Sequence, residues 1–228
     1  RYLADATRDR FELERTVDVI PNFIDPVEYS PLHRSTDLRR RFATDEEVLL
    51  CHISNFRPVK RIPDVVEVFS RVAAKRPARL LMIGSGPEVM LAQAQACKLG
   101  IADRITWLGS IDQVAEPLAC ADLFLLPSDG ESFGLAALEA MASGVPCIAT
   151  AAGGVPEVID SGRTGLLCAV GDTEAMASGA LDILESRAGY QEMSEAARTV
   201  AIERFALDKV VGQYERLYEN LVCRETSG

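Results

Sequence analysis

The sequence predicts an α/β protein: a doubly wound, Rossmann-like parallel sheet followed by a helical C-terminal tail. Three observations carry this expectation. Apolar runs of strand length recur along the chain and alternate with segments of helical period. The runs are continuous in Val, Ile and Leu, without period-two alternation, as in strands covered on both faces. Beyond Asp172 the patterns are helical as far as Val222, with no further strand among them.

Taken in order, Arg1–Leu13 reads as a charged helix entered in its middle and lacking an initiator Met, so residues 1–16 are expected to close a preceding domain or linker of a larger molecule. The first apolar run is Val17–Ile20. Six more follow at Val48–Ser54, Arg79–Gly84, Arg104–Leu108, Asp122–Leu126, Val145–Thr150 and Gly165–Cys168. Between them, Val65, Val66, Phe69, Val72 and Ala73 repeat at three- and four-residue steps, the buried stripe of a helix. A second helix is expected over Glu88–Leu99, stopped by Gly100. A third is expected over Phe133–Ala142, closed by Ser143-Gly144. The main domain is placed at 17–205 and a C-terminal helix at 206–228. That helix is expected to pack back on the missing N-terminal domain, and its Val210, Val211, Tyr214, Leu217 and Leu221 fit a buried stripe.

Composition narrows the function. The chain of 228 residues is 48% apolar and 25% charged, which excludes a disordered protein and supplies a core without disulfide or metal staples. A net charge of −10 disfavours general binding to nucleic acid or anionic lipid, yet leaves room for a local pocket that takes one anion. The six cysteines are scattered, with no CxxC and no His at ligand spacing. They read as reduced, mostly core thiols of a cytoplasmic protein without zinc. A two-histidine metal site would need both His33 and His52, and their spacing does not support one. No apolar run has membrane-spanning length, and no signal peptide opens the sequence.

In doubly wound sheets ligands bind beyond the carboxyl ends of the strands, so the loops after the strands are the places to look. After the Val48 run, Ser54-Asn55-Phe56-Arg57-Pro58-Val59-Lys60-Arg61 sets three cations beside the start of a helix. Cations there oppose the positive end of the helix dipole unless an anion lies between, which makes Arg57 and Lys60 candidates for a phosphate. A solvated basic loop explains the same residues about as well. Gly84-Ser85-Gly86-Pro87-Glu88 begins like a dinucleotide fingerprint, but Val89 replaces the last glycine, so Gly84 and Gly86 indicate a tight turn as readily as a ligand. The loop Pro127–Gly134 is the most informative. Ser132 is suited to cap a helix starting near Phe133, which would aim the amides of Phe133, Gly134 and Leu135 at a ligand. Glu131 and Glu139 flank those amides. If both were helical they would lie about 12 Å apart and about 80° around the axis, too far to share a proton but suited to opposite ends of an elongated ligand. A sugar, a diphosphate and a ribose in series have that layout. A fourth loop, Ala151–Glu157, holds Gly153-Gly154, for which a plain turn is nearly as good an account.

Together these residues resemble the retaining glycosyltransferases of family 4. Glu131 and Glu139 lie in Ser128-Asp129-Gly130-Glu131-Ser132-Phe133-Gly134-Leu135-Ala136-Ala137-Leu138-Glu139, which looks like that family's signature. Gly153–Ile159, Gly162–Leu167 and Pro21–Asp25 match further family segments in order. The resemblance implies a GT-B architecture of which this chain is the C-terminal, donor-binding half. It implies that Lys60 and Arg57 neutralise the diphosphate leaving group and that Glu131 binds the donor sugar's hydroxyls. Glu139 would bind the ribose hydroxyls. Ser132 and the amides of Phe133, Gly134 and Leu135 would hold phosphate and sugar, and the loops after Gly84 and Leu108 would hold the base. Asn55 stands where many members carry Arg, so Arg57 is the candidate substitute.

Within the family, His52–Arg61 is most similar to the branch that transfers N-acetylglucosamine from a UDP donor to a small anionic acceptor such as L-malate, in bacillithiol synthesis. The resemblance implies neither cofactor nor metal, the UDP-sugar being a substrate. The departing phosphate would take the acceptor's proton, and the isolated chain would be inactive without its N-terminal domain. Three alternatives stand beside this reading: a UDP-N-acetylglucosamine epimerase, a non-catalytic nucleotide-sugar sensor, and a nicotinamide-binding module, which the broken glycine fingerprint disfavours.

Overall fold

Six parallel strands form a single sheet in the order β3-β2-β1-β4-β5-β6. They are β1 (Val48–Ile53), β2 (Ala78–Ile83), β3 (Ile105–Gly109), β4 (Leu123–Leu126), β5 (Cys147–Thr150) and β6 (Gly165–Cys168). The computed structural model describes residues 1–14 and 16–225, so Arg15 of the expected 1–16 segment and residues 226–228 of the expected C-terminal helix lie outside the described residues. The strand order reverses between β1 and β4, the topological switch point of a doubly wound sheet. There the register is short: β1 pairs with β2 over six residues, from Val48↔Ala78 to Ile53↔Ile83, but with β4 only at Leu50↔Leu123 and Cys51↔Phe124.

Two layers of side chains sandwich the sheet. One face carries α3 (Ile62–Ala73), α4 (Val89–Lys98) and α7 (Thr173–Glu185). Val65, Val66, Phe69 and Val72 of α3 are fully buried against Leu50, Leu80 and Met82. The other carries α5 (Ala115–Ala119), α6 (Leu135–Ala142) and α8 (Arg187–Phe205), with Leu138, Met141, Val200 and Phe205 packed on Leu49, Phe124 and Ala149. Burial on both faces explains why the strands read as unbroken apolar runs. Cys51, Cys120, Cys147 and Cys168 sit in this core, whereas Cys97 and Cys223 are exposed.

Helix α1 (Tyr2–Phe11) and the short α2 (Thr36–Arg39) precede the sheet, and α9 (Leu207–Glu225) follows it. The connection near Asn22–Asp25 is pinned to the end of α8, where Ile24 N–H donates to Phe205 O at 2.9 Å and Leu207 N–H to Ile24 O at 2.9 Å.

Three expectations need correction. Val17–Ile20 is not a strand: it pairs with neither edge strand, β3 or β6, and a strand needs a neighbour to take its backbone hydrogen bonds. This segment instead lines a cavity of about 250 Å³ with α1, Ser132, Phe133 and Glu157. Helix α6 begins at Leu135 rather than Phe133. In α9 the expected stripe is only partly buried. Val210 is inaccessible, but Val211, Tyr214 and Leu221 are 37%, 38% and 49% exposed. Among the described residues no helix is long and apolar enough to cross a membrane.

Candidate functional site

The switch point opens into a cavity of about 330 Å³ lined by Ser54, Asn55, Lys60, Glu131, Gly134, Leu135, Ala136 and Glu139 over Ile53 and Leu126. Strand β1 contributes the first three side chains through a loop that three contacts make rigid. Fully buried His52 lies 2.8 Å from Leu125 O through Nδ1 and 2.8 Å from the Ser54 hydroxyl through Nε2. Phe56 is also inaccessible and takes φ +24. Its ring lies 5.9 Å from His52 and 6.1 Å, edge-on, from Trp107. The glycines of the β2 loop close the stack. A Cβ on Gly84 would fall 1.8 Å from Ser54 O, and one on Gly86 2.6 Å from Asn55 O. Gly84 and Gly86 thus allow two loops to touch, and neither lines the cavity.

Lys60 ends a 3-10 turn, Pro58–Lys60, and its Nζ donates to Glu131 Oε1 at 2.6 Å. Glu131 is held from several directions. The Ser128 hydroxyl donates to the same oxygen at 2.8 Å, and Gly154 N–H donates to the Glu131 carbonyl at 2.8 Å. Gly153 is pressed so close that a Cβ would sit 2.0 Å from that carbonyl. The two loops are also joined by the backbone, Asp129 N–H donating to Val59 O at 2.8 Å.

The start of α6 differs from the expectation for Ser132. Gly134, at φ +94, is the N-cap, with no side-chain capping bond. The amides of Ala137 and Leu138 bond to Gly134 O at 3.0 and 3.1 Å. That leaves the amides of Leu135 and Ala136 at the cavity end of the helix, where the partial positive charge of its dipole lies. Phe133 turns the other way and packs edge-on against Phe205 at 5.6 Å; it lines the neighbouring cavity with Ser132. Arg57 is exposed and does not line the 330 Å³ cavity, whereas Asn55 does.

Glu139 lies one helical turn into the site. Burial, with a smaller contribution from Glu28, pushes its carboxyl up to about 7, although the Tyr29 hydroxyl, in hydrogen-bonding reach, acts the other way. The same surroundings hold Tyr29 protonated, well above its ordinary range. His52 is pushed down to about 4, chiefly by burial, and is neutral.

The structure therefore gathers Lys60, Glu131, Gly134, Leu135 and Glu139 from the sequence reading into one cavity. Gly84 and Gly86 lie behind it, Arg57 outside it, and Ser132 and Phe133 beside it. Sequence reasoning passed over Asn55 as a lining residue, Ser128, Ala136, Tyr29 and the wedge formed by His52. Ser128 was findable, three residues before Glu131. The others depend on which loops the topology brings together. Among the described residues no group of three or more His, Cys, Asp or Glu side chains is arranged to hold a metal.

Comparison with known proteins adds a family to this geometry. The family model described as glycosyl transferases group 1 matches residues 34–200. N-acetyl-alpha-D-glucosaminyl L-malate synthase of Bacillus anthracis is 42% identical over 227 residues, 99% of this chain and 59% of that protein. D-inositol 3-phosphate glycosyltransferase of Mycobacterium marinum is 34% identical over 192 residues, 79% of this chain and 40% of the relative. The chain thus spans well under two thirds of the length of these relatives. Among solved structures, HepE of Anabaena in complex with UDP and glucose superposes with a TM-score of 0.86 at 23% identity, covering 95% of this chain and 62% of that one. Sucrose-phosphate synthase of Thermosynechococcus elongatus gives a TM-score of 0.85 at 25% identity, covering 96% of this chain and 56% of that one.

Proposed function

Since the chain belongs to the group 1 glycosyl transferases, we propose that it is the donor-binding half of a retaining glycosyltransferase that takes a UDP-sugar. The observation that carries this reading is the meeting of Lys60, the amides of Leu135 and Ala136, Glu131 and Glu139 on one cavity at the switch point. The arrangement has a cation and a helix N-terminus for a diphosphate, with a carboxylate to either side for hydroxyl groups. The finer assignment, UDP-N-acetylglucosamine as donor and L-malate as acceptor, is supported by the 42% identical relative of that name.

In the proposed reaction the bond from the anomeric carbon to the diphosphate oxygen breaks. The acceptor hydroxyl oxygen bonds to that carbon on the same face, and its proton passes to the departing phosphate oxygen. Charge grows on the leaving group. The α6 amides, fixed by the helix, meet it without reorganisation, and Lys60 meets it once drawn from Glu131. Glu131 orients the hexose, Glu139 accepts from the ribose, and Asn55 takes the place at the cavity wall first assigned to Arg57. No metal is invoked in these steps. Residues 17–205 form the donor domain in this reading, and α9 presents its exposed apolar face to the companion domain.

Calorimetric titration of the chain with UDP, with NADH as control, tests the reading. Binding of UDP and not NADH is expected. No UDP binding, by the chain or by a longer protein that contains it, overturns it. Transfer of N-acetylglucosamine to malate is then to be assayed in the longer protein.

A further inference from the structure

Lys60 and Glu131 form an ion pair at the cavity wall. Lys60 Nζ lies 2.6 Å from Glu131 Oε1, and the Ser128 hydroxyl occupies the same oxygen at 2.8 Å. The two charged side chains are 20% and 11% exposed, so solvent screens them less than it does a surface pair. Among the described residues Lys60 is the one cation lining the cavity. A diphosphate entering there competes with Glu131 for that cation and brings its own negative charge beside the carboxylate.

Resting on the sugar-nucleotide reading above, we propose that Glu131 discriminates a sugar-bearing donor from the bare nucleoside diphosphate by competing with the diphosphate for Lys60. Once the diphosphate holds Lys60, Glu131 has lost a charge-assisted hydrogen bond in a partly dry site. A hexose attached to the diphosphate supplies hydroxyl donors that replace it. A bare nucleoside diphosphate supplies none. After transfer the hexose leaves with the acceptor, and Glu131 has Lys60 as its available charged donor once more. Recapture of the lysine then loosens the diphosphate product. One contact thus favours entry of the intact donor and release of the spent one, and no covalent step belongs to it.

The test is calorimetric titration of the unsubstituted chain and Glu131→Gln with UDP and with UDP-N-acetylglucosamine, each protein first shown by thermal melting to be folded. Glutamine keeps the shape of the side chain and removes its charge. The variant is expected to bind UDP about tenfold more tightly than the unsubstituted chain, which is ~1.4 kcal/mol. Its preference for the sugar nucleotide over UDP should shrink toward none. Glu131→Ala provides the same comparison if the glutamine variant does not fold. A variant that binds UDP no more tightly than the unsubstituted chain overturns the proposal while leaving the sugar-nucleotide reading in place. If neither the unsubstituted chain nor a longer protein that contains it binds either ligand, the sugar-nucleotide reading falls, and this proposal with it.

Discussion

His52 Nε2 accepts the hydroxyl of Ser54 at 2.8 Å, and Ser54 lines the cavity. The direction of that bond follows from the other side of the ring. Nδ1 lies 2.8 Å from the Leu125 carbonyl, which can only accept, so Nδ1 carries the proton. Ser54 Oγ is left to receive Phe56 N–H at 3.3 Å. A buried imidazole thus orients the loop that ends in Lys60. His52→Phe keeps the aromatic volume next to Phe124 but strands Ser54 Oγ and Leu125 O. We expect a loss of about 2–4 kcal/mol in urea unfolding, with UDP affinity falling severalfold.

One buried group and one half-buried group give pH dependence of opposite sign. His52 has an ordinary value of 6.5 and is held at about 4 in the fold. Above pH 6.5 it is neutral in both states and has no effect. As pH falls from 6.5 to 4 the unfolded chain binds a proton that the fold refuses, so stability drops by on the order of 3 kcal/mol and then levels. Glu139, at about 7 against an ordinary 4.5, runs the other way. Between those values the fold keeps a proton that the unfolded chain releases, so stability falls as pH rises. Glu139→Gln should therefore be more stable than the unsubstituted chain at pH 8, by about 1–2 kcal/mol after allowance for its partial exposure. The gap should close by pH 4.5. Urea titrations at pH 4.5, 6 and 8 check both signs.

If ionised Glu139 accepts ribose hydroxyls, donor affinity should rise with pH through about 7. UDP-N-acetylglucosamine is the suitable probe, because its diphosphate diester does not titrate in this range. Affinity is expected to increase roughly tenfold from pH 6 to 8 in the unsubstituted chain and to be weak and flat in Glu139→Gln. A pH-dependent Glu139→Gln would remove the carboxylate from this role.

Lys60→Ala should weaken UDP binding by roughly ten- to a hundredfold, the usual contribution of a hydrogen bond to a charged group. Its melting temperature should fall, because Glu131 loses the ion pair, so a thermal melt first establishes that the variant is folded. Unchanged affinity would place the diphosphate elsewhere.

Gly84→Ala would put a methyl into the Ser54 carbonyl at φ +125, a backbone region that side chains rarely adopt. The β2 loop must then move away from the β1 loop. We expect a destabilisation of about 2–4 kcal/mol together with weaker UDP binding, measured by urea unfolding and calorimetry.

The fold was largely legible because its strands are buried on both faces, which writes an apolar signature into Leu123–Leu126 and, interrupted only at His52, into Val48–Ile53. Val17–Ile20, interrupted at Asp18, reads similarly yet pairs with no strand, and pairing is not a local property. The Glu131–Glu139 spacing pointed to the cavity because it lies within one stretch of chain. Lys60 and Glu131 are 71 residues apart, so their contact is decided by which loops meet at the switch point. Ser132 read as a cap because its side chain suits one, yet Gly134 outcompetes it by supplying a left-handed turn two residues later.

The short register between β1 and β4 divides the sheet into two three-strand halves joined by a narrow seam. Other bonds reinforce it at both ends: Asp122 N–H to Leu49 O at 2.7 Å and Asp129 N–H to Val59 O at 2.8 Å, with His52 Nδ1 to Leu125 O at 2.8 Å. Lys60 and Asn55 stand on one side of the seam, Glu139 and the Leu135 amide on the other. A ligand held by both sets crosslinks the halves. Its occupancy should slow amide hydrogen exchange at Cys51 and His52 and at Phe124 and Leu125 alike, strand residues that do not line the cavity.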